Sequence, residues 1–237
     1  MSEIPTPVIL ISFGSAGDLY PFVGLAKAFQ RHGREVLLLC TGVHADAMSR
    51  AGVPWQPMGD GDDYRRALAD PDLWHPRRGF RVLLRDYAAS TARLREQLLA
   101  LLPAGQPTLV CSHSFAAPAL DLLRRERPLL RVAGVHLAPA SLRSVGEPMV
   151  WGPFTVPRWM GPRARHALWR YSDARMVDPW GLPALNALRA THGLAPVPHF
   201  LPHLAAILFR YIFGVRADVA DAAWRLGAEP ESCSSCA

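Results

Sequence analysis

The densest chemical signal in the chain is Gly14-Ser15-Ala16-Gly17-Asp18. A glycine-containing turn that follows an apolar strand and opens a helix is how α/β folds bring ligands to the carboxyl ends of their strands. Backbone N–H groups at such a helix start can face a bound or developing negative charge. Gly14 and Gly17 shape the turn, and Asp18 stands at its end. At this level the Asp18 carboxylate has two readings. It is a base exposed in the crevice, or it is spent on capping the helix. A dinucleotide site fits poorly. The turn reads G-x-x-G rather than G-x-G-x-x-G, and Cys40-Thr41 stand where an acidic residue would hold a ribose. A carboxylate beside a pyrophosphate would also repel it.

The elements that must position this turn follow from hydrophobic spacing. Residues 8–13 (VILISF) form a short, continuous apolar run, as in a strand buried on both faces. Leu19, Phe22, Val23, Ala26 and Phe29 recur at spacings of three and four, which is one face of a helix ending near His32-Gly33. Residues 36–40 predict a second strand, 45–51 a helix closed by Gly52, and 53–57 a short third strand or edge. Strand and helix thus alternate through the first sixty residues, which predicts parallel strands joined by right-handed crossovers. Beyond them, 59–63 reads as a polar Gly/Asp loop and 80–102 as one long helical stretch. A strand is expected at 109–111, a helix at 115–125 and another strand at 130–135. Residues 138–162 crowd Pro, Gly and Trp and read as an irregular capping segment. Helices are expected at 163–171 and 182–192.

Composition narrows the class. Half of the 237 residues are hydrophobic and 19% are charged, a balance that can bury a core and argues against disorder. With no run of about 18 apolar residues, no membrane-spanning helix is expected. The polar N-terminus is not a signal peptide, so the expected location is cytoplasmic. The net charge of +6 raises nucleic acid as a partner. Lys27 is the only lysine and the arginines are scattered, as in Arg77, Arg78, Arg81, Arg85 and Arg93, which reads as a solvated face. No nucleic-acid-reading motif is present. Cys40 and Cys111 end apolar runs and read as buried thiols. Cys233 and Cys236 form a lone C-x-x-C with no second pair for a metal, so no metal site is expected.

The segment from Ile9 to Gly52 resembles the N-terminal domain of family-28-type glycosyltransferases, which are of the GT-B class. These include sterol 3β-glucosyltransferases, antibiotic-modifying glycosyltransferases and the rhamnosyltransferase that builds rhamnolipids. Their pattern is Gly-x-x-Gly-Asp, a Pro two or three residues on, Leu-Ala-x-x-Leu and His-Gly-His-x-Val. Here it reads Gly14 to Asp18, Pro21, Leu25-Ala26-Lys27-Ala28-Phe29 and His32-Gly33-Arg34-Glu35-Val36. The likeness is dense through Gly59, looser to about Pro196, and fades after Leu208.

The resemblance implies an α/β, Rossmann-like parallel sheet flanked by helices, forming the acceptor-binding half of a two-domain enzyme. Residues 1–208 would be that domain. Residues 209–237 are an atypical tail: a C-terminal helix over 219–226, a truncated end or an out-of-frame reading. The donor-binding domain of the family has no counterpart in this sequence. The implied reaction is inverting, metal-independent hexosyl transfer from a UDP- or dTDP-sugar to a lipid or other hydrophobic hydroxyl, without a cofactor. The alternative is a non-catalytic acceptor-binding half needing a partner chain. Asp18 would be the base. The loop after the strand at 109–111 faces the same cleft in this fold, so His113 would touch acceptor or Asp18, or be a hydrogen-bonded strand-end histidine. Ser15, Ser112, His136, Trp151 and Phe154 are the expected acceptor-binding residues. The aromatic segment at 149–159 would line a pocket or pack on the sheet. Peripheral membrane contact and self-association through the exposed cleft face are further expectations.

Overall fold

A computed structural model describes residues 7–59, 61–75, 78–137, 150–151, 154–157 and 159–208. Five parallel strands make one sheet in the order β3-β2-β1-β4-β5. They are β1 (Val8–Ile11), β2 (Val36–Cys40), β3 (Trp55–Pro57), β4 (Thr108–Ser112) and β5 (Leu130–Gly134). β1 is central, with Val8 paired to Val36 on one side and to Leu109 on the other. All four β1 residues are buried, because both faces of the sheet are covered. Leu10 and Leu38 join one core cluster with Leu19, Phe22, Ala26 and Phe29 of α1 (Ala16–Arg31). Ile9, Ile11 and Val110 join a second, with Leu94 and Leu98 of α5 (Tyr87–Leu101) and Leu120 of α6 (Ala117–Leu123). The sheet therefore separates two apolar layers, and the period-two alternation of each strand serves both.

The strand order reverses at β1: the chain runs outward to β2 and β3, then crosses back to β4. This is the switch point at which open α/β sheets form a crevice beyond their strand ends. The turn from β1 into α1 and the turn from β4 toward α6 flank that crevice.

The expected alternation through residue 60 is observed, with β3 as an edge strand. A single 3₁₀ turn, Gly42–His44, precedes α2 (Ala45–Ala51). Three elements depart from expectation. The expected loop at 59–63 already begins α3 (Gly61–Ala69). Its Asp62 and Asp63 sit in the first turn, where the helix dipole favours acids, and pair one turn on with Arg65 and Arg66. The stretch at 80–102 is two helices, α4 (Gly79–Leu84) and α5, broken at Arg85-Asp86. The break turns Tyr87 inward, where its hydroxyl donates to the Phe115 carbonyl at 2.7 Å. Finally, α9 (Phe200–Leu208) was not anticipated; Phe200 and Leu204 bury against Leu84, Tyr87 and Leu185.

The helices α7 (Pro162–Ser172) and α8 (Asp178–Thr191) run on through a π-helical turn at Asp173–Val177. Within the segment expected to be irregular, β6 (Val150–Trp151) and β7 (Phe154–Thr155) form a two-residue antiparallel pair. The tail at 209–237, with Cys233 and Cys236, lies outside the described residues. Cys40 and Cys111 are buried free thiols. Among the described residues no helix is long and apolar enough to cross a membrane.

Candidate active site

The turn after β1 is built around Gly14. Gly14 has φ +108°, a region that side-chain-bearing residues rarely adopt. A Cβ there would also overlap Oδ2 of Asp18. Ser15 is the N-cap of α1 and Asp18 its third helical residue. Asp18 Oδ2 accepts from the Ser15 backbone N–H at 2.7 Å and from the Ser15 hydroxyl at 3.0 Å. The carboxylate thereby satisfies the N-cap backbone donor. The capping contact is present, made by one carboxylate oxygen, and the residue also lines the crevice. Oδ1 has no hydrogen-bond partner among the described residues.

His113 comes to the same place from the end of β4. Its backbone N–H donates to Ile11 O at 2.9 Å, which ties it to the end of β1. Its Nδ1 accepts from the Phe115 backbone N–H at 3.3 Å, and its ring stacks on Phe115 at 5.7 Å between centroids. With Nδ1 occupied as an acceptor, the neutral ring carries its proton on Nε2. Burial pushes the imidazole below its ordinary range; the Asp18 charge opposes this and His136 adds to it.

Asp18 and His113 open onto one cleft of about 460 Å³. Gly14 and Thr41 also line it. Its walls are apolar: Phe13, Met58, Val82, Tyr87, Leu94 and Phe115. Tyr64 of α3 also lines it, and its phenol is raised above the ordinary value by burial and then by the charge of Asp18. Also in its lining, Arg93 pairs with Asp63 at 2.8 Å and Arg85 with Asp70 at 2.7 Å.

The other expected site residues lie elsewhere. Ser15 is exposed and engaged with Asp18. Ser112 is fully buried at the end of β4, its hydroxyl without a partner among the described residues, and does not line the cleft. It falls on the same strand face as Val110, toward α5 and α6. His136 is buried beyond β5, and its charge acts on His113, but it too is not part of the cleft lining. Trp151 and Phe154 pair across β6 and β7, with side chains outside the described part. Among the polar residues not anticipated at the site are Tyr64 and His44. Tyr64 follows the loop expected at 59–63, in a stretch for which no element is expected; the acid-then-arginine spacing at 62–66 is the available signal. His44 Nε2 lies 3.1 Å from the Gly14 carbonyl, thirty residues away in sequence, a contact with no local signature. Among the described residues, no cluster of three or more His, Cys, Asp or Glu is placed to hold a metal ion.

The model of the glycosyltransferase family 28 N-terminal domain matches residues 8–100, from β1 to the last turn of α5. No curated protein sequence matches the chain. Among solved structures, the glycotransferase of kitacinnamycin aligns over 86% of this chain and 44% of its own, at 14% identity and a TM-score of 0.54. A glycosyltransferase from Streptomyces sp. SF2575 aligns over 81% of this chain and 48% of its own, at 17% identity and a TM-score of 0.46. The chain thus spans about half the length of the solved structures it matches. The resemblance read from Ile9 to Gly52 is matched over residues 8–100, and the sheet is the Rossmann-like one expected of a GT-B N-terminal half.

Proposed function

We propose that this chain forms the acceptor side of a glycosyltransferase, which moves a hexosyl group from a nucleotide-sugar to a hydroxyl of a lipid or other hydrophobic acceptor. One observation carries the reading: Asp18 and His113, from two different strand ends, line one cleft together with Phe13, Val82, Leu94 and Phe115. The family match over residues 8–100 supports the reaction class.

In this reading the acceptor's apolar body lies against Phe13, Val82, Leu94 and Phe115, which exclude water, and its hydroxyl faces Asp18. Asp18 Oδ1 takes the hydroxyl proton as the oxygen attacks the anomeric carbon. The new glycosidic bond forms as the bond to the diphosphate breaks, inverting that carbon and releasing the nucleoside diphosphate. His113 serves as a donor rather than a base, because Nδ1 is occupied and burial favours the neutral ring with its proton on Nε2. It orients the acceptor oxygen or the carboxylate. The UDP- or dTDP-sugar is assigned to a facing domain, in the same polypeptide or in a partner chain. The resemblance favours metal-independent transfer without a cofactor, with residues 1–208 as the acceptor domain.

The test is transfer itself. The protein is incubated with UDP- and dTDP-hexoses and a panel of apolar hydroxyl compounds, and adducts of one hexose are sought by mass spectrometry. Asp18→Asn keeps a carbonyl oxygen for the Ser15 N–H, so the helix cap survives while the base is lost. Transfer should fall about 10²–10⁴-fold. An undiminished rate in that variant removes the base assignment. Acceptor binding in the cleft with no adduct from any donor favours the non-catalytic acceptor-binding reading.

A further inference from the structure

We infer that His44 is a positioning residue, which holds the Asp18 carboxylate at the cleft through the single peptide unit between Gly14 and Ser15. The inference rests on the proposed role of Asp18.

His44 closes the 3₁₀ turn after β2, where its backbone N–H bonds the Thr41 carbonyl at 3.1 Å. Its ring stands beside Tyr64, 6.1 Å between centroids at 60°, so a cleft-lining residue backs it. Its Nε2 is 3.1 Å from Gly14 O. A carbonyl only accepts, so Nε2 carries the proton and donates. The carbonyl of Gly14 and the N–H of Ser15 belong to one planar trans peptide and point in opposite directions. His44 grips one end of that plane. Asp18 Oδ2 accepts from the other, at 2.7 Å. Rotating the plane away from His44 would swing the Ser15 N–H off the carboxylate. Gly14, at φ +108°, has the backbone freedom that makes such rotation a real alternative. Hydrogen bonds in a chain also polarise one another, so donation to the carbonyl strengthens the N–H as a donor. His44 thus selects one peptide orientation, and that orientation fixes the base.

The test reads the latch without needing turnover. Amide hydrogen exchange is followed by NMR on the full ¹⁵N-labelled chain. His44→Phe keeps the ring and removes the donor; His44→Gln restores an N–H at a similar reach. In His44→Phe the Ser15 amide should exchange about tenfold faster, the scale of one lost hydrogen bond. The Ile9 and Leu10 amides should stay as in the wild type, and His44→Gln should return Ser15 close to it. In the transfer assay, His44→Phe should lower kcat about tenfold with the acceptor KM unchanged, again rescued by Gln. A Ser15 amide indifferent to His44→Phe overturns the inference, as does a rise shared by every strand amide. If Ser15 is released by His44→Phe while Asp18→Asn transfers normally, the latch stands and the base assignment falls.

Discussion

Gly14 and Asp18 share a space that neither could give up: the Asp18 carboxylate oxygen occupies the position a side chain on residue 14 would need. The turn is therefore closed over its own acid. It also explains how one carboxylate can cap α1 and remain at the mouth of a cleft.

Gly14→Ala should disturb both roles at once. Holding φ near +108° costs a non-glycine residue on the order of 1–3 kcal/mol, and the new methyl displaces Oδ2. A fall in urea midpoint, together with loss of transfer, is the expected pair of results. A variant of wild-type stability and activity would mean that the turn is not built this way.

Acid should destabilise the fold. His113, His136 and His203 are each held below the ordinary imidazole value, first by burial. Around His203 the Arg189 guanidinium adds to this and Asp121 opposes it. The unfolded chain, with ordinary imidazoles near a pKa of about 6.5, then binds protons more readily than the folded one. Their contribution is present above about pH 6.5 and is lost as the pH falls from there through the lower folded values. Denaturant midpoints at about pH 7.5 and about pH 5.5 should differ, with the lower value at the acid end. A flat or rising profile on acidification contradicts the burial of these rings.

Gly181 lets α8 press against its neighbours. A Cβ there would lie 2.8 Å from Phe200 Cδ2 and 2.9 Å from Leu84 Cδ1. Gly181→Ala adds helix propensity worth about 1 kcal/mol. Overpacking a filled core costs about 1–3 kcal/mol, so the net effect should be a loss of stability. Thermal unfolding reads the sign directly, and a raised Tm would show that Phe200 yields without cost.

The thiols of Cys40 and Cys111 should be inert in the native protein. Burial pushes Cys40 up to about 11 and Cys111 up to about 12. The thiolate is the reactive form, so iodoacetamide at about pH 8 should leave both unmodified until denaturant is added. Peptide mapping that finds either one alkylated in the folded state would count against their burial.

Much of the frame is local and was legible in the chain. Continuous apolar runs such as Val8–Ile11 read as strands covered on both faces, and the 3–4 spacing from Leu19 to Phe29 as one buried side of a helix. Less of the site was local. The acid-first, arginine-later pattern at 62–66 was outvoted by Gly59 and Gly61, so α3 and its Tyr64 went unread. The break before Tyr87 has no strong local stop; it is set by a hydroxyl reaching Phe115, twenty-eight residues on.

By itself, the sequence determined the parallel α/β alternation, the Gly14–Asp18 turn and the acid at its end, because hydrophobic period and turn chemistry act over a few residues. Only the tertiary structure decided what surrounds that acid. The sheet order brings β4 beside β1 and so carries His113 to Asp18, while β2 delivers His44 to the Gly14 carbonyl. Those meetings depend on strand pairing between distant segments, which no local spacing encodes, and they turn a helix cap into one end of a cleft.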